Sequence, residues 1–324
     1  MTAVLLIALA AGSASALMFA SIISGALIAL LLFYLAPLPL MVAALGWGPL
    51  SATIGGITAA TVLGAIFGLP FCIVFAITVA LPAWWLGHLA LLGRPIASGV
   101  SSGNGAEPKA PILEWYPTGR ILLWLSGFAA LNTIAALLAF GIDVTAVTGA
   151  LRESLLLFLG LRDTTVPAEI DQLVNMLVTI APSLGAISVM MMLTFNLWLA
   201  AKITSTSGRL HRPWPDLKSA ALPSLTLAAL CAAIAFCFAG GLPAILAQVI
   251  AAVLIMAYAL TGFAVLHTLT LALKSRALWL GCTYAIVVLF VWPVVAMVVL
   301  GIADAIFGFR QRYLQGRPPP LPTA

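Results

Sequence analysis

Charge is what this chain has least of. Of its 324 residues, 7% are Asp, Glu, Lys or Arg, where an ordinary soluble domain carries about 25%, and no charged residue precedes Arg94. Such scarcity excludes a soluble fold of respectable size, whose surface must be wetted by charged groups. Cysteine is sparse too. Cys72, Cys231, Cys237 and Cys282 all lie in apolar runs, without the spacing of a disulfide framework or of a zinc site, and read as small packing residues. No Walker loop, GxSxG elbow, HExxH or dinucleotide fingerprint occurs. The expectation is a protein that is not an enzyme, with no cofactor and no metal; active transport would need a partner ATPase or an ion gradient.

What the chain has in abundance is apolar length. It is 63% hydrophobic with a mean hydropathy of +1.19, and a run of about 20 such residues crosses roughly 30 Å of hydrocarbon. The fold class expected is all-α: a polytopic transmembrane helix bundle of about eight or nine membrane segments, with one interfacial amphipathic helix. Apolar segments run over 5–35, stopped by Pro37 and Pro39, then 40–47, 50–68, 71–92, 118–142, 174–201, 221–239, 242–273 and, interrupted at Trp292-Pro293, 277–309. The stretch TAVTGALRESLLLFLGLRD at 145–163 is too short and too charged to cross and reads as the interfacial helix. Ala14-Ser15-Ala16 mimics a cleavage site, but the opening lacks a basic region and runs on into apolar sequence, so an uncleaved first span is expected.

Composition also divides the chain. A membrane half of four apolar segments occupies 1–93 and a Gly/Ser/Pro-rich connector 94–117. A second membrane half fills 118–308, and a basic, Pro-rich tail 309–324. The connector carries Arg94 and Lys109 beside Arg120, and the loop over 202–218 carries Lys202, Arg209, Arg212 and Lys218. Between them, Arg152 and Arg162 face Asp143, Glu153, Asp163, Glu169 and Asp171. The basic loops belong on the cytoplasmic side and the acidic stretch outside. Lys274 and Arg276 then fall inside too, and Arg310, Arg312 and Arg317 return there only if Trp292-Pro293 splits the last segment into two arms. The net charge of +5 lies in loops between spans, as orientation requires, so nucleic acid is not an expected partner.

Two ladders of small residues stand four apart: Ala8, Gly12, Ala16, Ala20 and Ser24 in the first segment, and Ala52, Gly56, Ala60, Gly64 and Gly68 in the third. In lipid, close backbone approach through such faces is a main source of helix packing, so each ladder marks a contact with a neighbouring helix or with a partner membrane protein. Before the second ladder, Gly46, Trp47, Gly48 and Pro49 make either a tight turn or a break between two arms around a solute cavity, to which Asn132 is a candidate contributor. The polar groups within spans are few. His88, Asn196, Gln248, His267 and Asp304 are candidates for function because such groups are costly in lipid; Asp304 has the alternative of pairing with Arg310.

The opening segment, the stretch APLPLMVAALGWGPLSATIGG, the His267-bearing span and the closing GIADAIFGFRQRY together resemble the YybS-like family of uncharacterised bacterial membrane proteins. Its amino-terminal part is similar to the substrate-binding subunits of energy-coupling-factor vitamin transporters. That resemblance implies a multi-pass protein of the bacterial inner membrane. It also implies a first-helix ladder that docks on a coupling subunit and a small solute bound among the first helices. The expected function is transport-related solute binding; the alternative is a non-transporting scaffold or envelope assembly factor. The partners expected are the lipid bilayer, a membrane protein on the small-residue faces and a small-molecule solute.

Overall fold

The computed structural model describes residues 2–96, 112–162, 167–215 and 220–315. It is a helical membrane protein whose only strands, among the described residues, are two short ones. Most of the connector (97–111), with Lys109, lies outside the described residues, as do Asp163, Lys218, Arg317 and the end of the tail. Seven stretches among the described residues are long and apolar enough to cross a membrane, and three further apolar helices are shorter. The helices fall into two compact units, one formed by 1–117 and 191–215, the other by 118–190 and 216–324. The second unit's boundary at Thr118 coincides with the end of the connector, but the stretch 191–215 joins the first unit from far along the chain.

In the first unit, α1 (Thr2–Ala20) passes through a 3₁₀ turn at Ser21–Ser24 into a left-handed Gly25, and α2 (Leu27–Tyr34) follows. The first span therefore ends at Gly25, ten residues before Leu35 where the hydropathy alone placed its end. The reason is local. Gly25 turns the chain at φ +66°, and the Ser21 hydroxyl donates to the carbonyls of Met18 and Ala29, so the turn needs no water. Pro37 and Pro39, conversely, break a helix without ending a span. The second crossing is α2 plus α3 (Pro37–Trp47); prolines have no N–H for the regular ladder, and at the break the Ala36 and Leu38 N–H groups donate to the carbonyls of Phe33 and Leu35 instead.

Gly48, at φ +94°, is the whole connection between α3 and α4 (Pro49–Phe67). A side chain is strained at that φ, and the Ser51 hydroxyl closes the turn by donating to the carbonyls of Ala43 and Gly48, both at 2.7 Å. Gly68 joins α4 to α5 (Leu69–Phe75) in the same way, so it is a turn residue and not the last rung of a ladder. The fourth crossing runs from α5 through a π-helical stretch, Ala76–Ala80, into α6 (Leu81–Leu91). The wide turn relieves the clash that Pro82 would make with the preceding helical carbonyl.

The ladders do meet helices of their own chain. Ala8, Gly12 and Ala16 are buried, and a Cβ on Gly12 would lie 2.3 Å from the Gly55 carbonyl oxygen. Gly56 instead faces Ala80, and Gly64 faces Cys72. Thus α4 packs on α1 through the stripe that holds Gly55 and on the α5–α6 span through the stripe one residue further round. Ser24, outside α1, is exposed, and Ala20 only partly covered.

After α6, β1 (Gly93–Ile96) pairs antiparallel with β2 (Ile112–Trp115), Arg94 standing opposite Glu114. In the second unit, α7 (Thr118–Ala139), the first part of α9 (Ala168–Thr206) and α11 (Gly241–Leu269) surround a core of Ala129, Leu137, Val147, Ala186, Met190, Val249 and Val253. The 15-residue helix α8 (Val144–Phe158) buries Val147 in that core and packs Leu151 against it. The last apolar segment is split at Pro293 into α12 (Arg276–Leu289), none of whose residues is buried, and α13 (Pro293–Phe307); α14 (Phe309–Gln315) closes the described chain. A second core joins α10 (Leu225–Phe236) to α11 through Leu230, Ala233, Leu254 and Tyr258.

Candidate functional site

In the second unit, α13 lies against α11 at backbone distance. A Cβ on Gly262 would stand 1.9 Å from the Met297 carbonyl oxygen, and one on Gly301 would stand 2.0 Å from that of Tyr258. Two glycines therefore set the depth at which α13 seats, one turn before Asp304. The approach of α13 to Tyr258 is what builds a cavity of about 830 Å³, lined among others by Leu222, Leu227, Tyr258, Asp304, Phe307 and Arg312. That volume is within the roughly 300–1,000 Å³ of small-ligand sites.

Its floor is a buried ion pair. Asp304 sits in the last turn of α13, where the helix dipole disfavours an anion. Gly308, left-handed at φ +65°, turns the chain so that Arg310 comes back over it. The Arg310 Nε donates to Asp304 Oδ2 at 2.7 Å, its backbone N–H to Oδ1 at 2.9 Å, and its Nη1 to the Ala220 carbonyl at 2.9 Å. The two side chains are 6% and 7% exposed. Both carboxylate oxygens thus have charge-assisted partners, which is the condition for keeping such a pair out of water. Tyr258, 1% exposed, and Thr226 have hydroxyls without a hydrogen-bond partner among the described residues, polar capacity that natural interiors rarely leave unmet.

The first unit uses its polar residues to repair backbone. At the α2–α3 break, fully buried Asn196 on α9 donates its Nδ2 to the Tyr34 carbonyl at 2.8 Å, and the Ser15 hydroxyl donates to the Ala36 carbonyl. Irregular backbone at membrane depth requires such donors. Replacing Asn196 with leucine is expected to lower stability by about 0.6–1.7 kcal/mol, the range of hydrogen bonds within membrane bundles. Thermal unfolding in detergent reads this as a drop of a few degrees, and an unchanged midpoint would mean that Tyr34 finds another donor. In the loop after α9, Arg212 donates to the carbonyls of Ala90 and Tyr116 at 3.1 and 3.0 Å, tying the end of α6 to the end of the β-ladder. Burial pulls its guanidinium below the ordinary value, from a level so high that it stays charged.

The residues expected to line a cavity do not form one group. Gly46 is filled over by Thr204 and Arg209, Trp47 carries the Arg209 guanidinium 5.4 Å from its ring centroid, and Gly48-Pro49 form the tight turn. Asn132, buried with its Oδ1 unpartnered among the described residues, belongs to α7 of the other unit. His88 stacks on Trp84, with ring centroids 6.4 Å apart. His267 meets the Tyr284 hydroxyl at 2.8 Å, and Gln248 is half-buried on α11. In the acidic stretch, Arg152 pairs with Asp171 and Asn175, and Arg162 pairs with Glu153 at 2.6 Å. Among the described residues no three His, Cys, Asp or Glu side chains group as metal ligands would.

Of the site that does form, the sequence singled out Asp304 and its pairing with Arg310 and missed Tyr258, Gly262 and Gly301. A signal was present: Gly301 and Ala305 are a small-xxx-small pair beside Asp304. The profile of a family described as predicted membrane protein (DUF2232) matches residues 119–305, from the start of α7 to the turn that holds Asp304. No curated protein and no solved structure matches the chain.

Proposed function

We propose, for a chain that belongs to the predicted-membrane-protein family DUF2232, that it is a transport-related, non-enzymatic binding protein whose ligand occupies the cavity beside Asp304. One observation carries this reading: in a bundle with 7% charged residues, a solute-sized cavity is floored by a buried, fully hydrogen-bonded ion pair. Ionisable groups within membrane segments mark ligand and ion paths by default. The site belongs to the carboxy-terminal unit. In the amino-terminal unit, where a solute was expected among the first helices, the Gly48 turn is braced by the Ser51 hydroxyl and Gly46 packs against Thr204 and Arg209. The α1 face that would dock on a coupling subunit is engaged by Gly55. A multi-pass protein of the bacterial cytoplasmic membrane remains the setting that suits this function.

The test is purification in mild detergent from cells expressing the protein at native level, followed by native mass spectrometry. A stoichiometric small molecule is expected, and Leu227→Trp, which fills the cavity wall, should lose it. A set of envelope or division proteins with no bound molecule would instead favour the scaffold reading and sink this one.

A further inference from the structure

We infer that the ligand of this cavity is a lipid with an anionic phosphate headgroup, an inference that rests on the binding reading above and names its substrate class. Charge decides the sign. Asp304 is neutralised by Arg310, and Arg312, exposed on α14 and lining the same cavity, makes no ion pair among the described residues. Among the described residues the lining therefore carries one positive charge in excess. Gln311, Gln315 and Ser224 supply neutral donors beside it.

Shape and depth decide the rest. Leu222, Leu227, Ile306 and Phe307 give the cavity an apolar side, while Thr261 and the Tyr258 hydroxyl add polar groups deeper in, so the occupant has an anionic end and a greasy one. The cavity also lies beside the first turns of the membrane span α7 and of the shorter apolar helix α10. Gly119, the second residue of α7, packs on Ala221, and Leu227 lies in the first turn of α10. The start of a span such as α7 marks the level where hydrocarbon gives way to headgroups, and basic pockets between helices at that level bind anionic headgroups. A guanidinium suits phosphate because its fork matches two phosphate oxygens.

Phosphate chemistry could also come from a water-soluble ester, so the test separates the two. The purified full-length protein is exchanged into micelles doped with phosphatidylglycerol, with phosphatidylcholine, or with glycerol phosphate alone, and retention is read by native mass spectrometry. Phosphatidylglycerol is expected to remain at one copy per chain. Arg312→Gln, at an exposed position that folding does not need, should weaken retention about tenfold, as loss of one charged hydrogen bond does. Arg94→Gln, an exposed arginine of the other unit, should leave it unchanged. Equal retention of phosphatidylcholine, indifference to Arg312→Gln, or full competition by glycerol phosphate overturns the lipid assignment. A stoichiometric neutral molecule, lost in Leu227→Trp, would overturn it too while leaving the binding function standing; no bound molecule under any condition removes both.

Discussion

Asp304→Ala is expected to destabilise the protein by about 3–5 kcal/mol, the cost of leaving a buried charge without its partner. The Arg310 guanidinium would keep the Ala220 carbonyl but lose Asp304 Oδ2, and the backbone N–H of Arg310 would lose Oδ1. The turn at Gly308 would then lose the carboxylate that ties the start of α14 to the end of α13. Asp304→Asn should cost less, because its amide oxygen can still accept from one donor. The decisive comparison is a double-mutant cycle. If the pair is worth most to itself, Asp304→Leu with Arg310→Met should recover much of the loss of either single variant, since paired apolar residues often replace a buried ion pair at no cost. Unfolding midpoints in detergent for the four proteins check this, and strictly additive losses would show that the two charges do not act as a unit.

Composition made the fold class legible because lipid permits so few solutions. With every backbone group to be satisfied internally, a chain of this hydropathy becomes a helix bundle. Boundaries were harder. Hydropathy carries no break at Gly25, where the span ends, and a strong one at Pro37, where it does not. The difference lies in donors that are remote in sequence: Ser15 and Asn196 supply the α2–α3 break with hydrogen bonds across 21 and 162 residues. The ladder on α1 was visible as spacing. The stripe it meets was not, since Gly55 and Gly56 both lie on α4 about 100° apart and only tertiary contact says which faces α1. At the candidate site Asp304 stood out as the one carboxylate in its segment, yet its pairing with Arg310 at i+6 is not a helical spacing and depends on the turn at Gly308. Tyr258 carried no signal at all, because an aromatic in an apolar helix reads as core until its hydroxyl is seen to lack a partner.

The seat of α13 on α11 predicts the second large effect. Gly301→Ala adds one methyl group, but that group would lie 2.0 Å from the Tyr258 carbonyl oxygen, 2.9 Å from the Thr261 hydroxyl and 3.0 Å from the Gly262 nitrogen, and the nearest obstacle is backbone. A flexible side chain could swing away; a helix can only move off as a body. The loss expected for Gly301→Ala, or for Gly262→Ala against Met297, is therefore at or above the roughly 1–3 kcal/mol typical of overpacking. It should bring a second consequence, because the wall that α13 contributes to the cavity shifts with it, so bound ligand should fall along with thermal stability. Gly127→Ala and Gly185→Ala are the controls. Both lie inside helices with nothing within 4 Å of the new methyl, and alanine is favoured over glycine in a helix by about 1 kcal/mol, so these variants should be neutral or stabilised. If Gly301→Ala melts with the controls and keeps its ligand, α11 and α13 do not approach at backbone distance, and the cavity beside Asp304 loses the contact that shapes it.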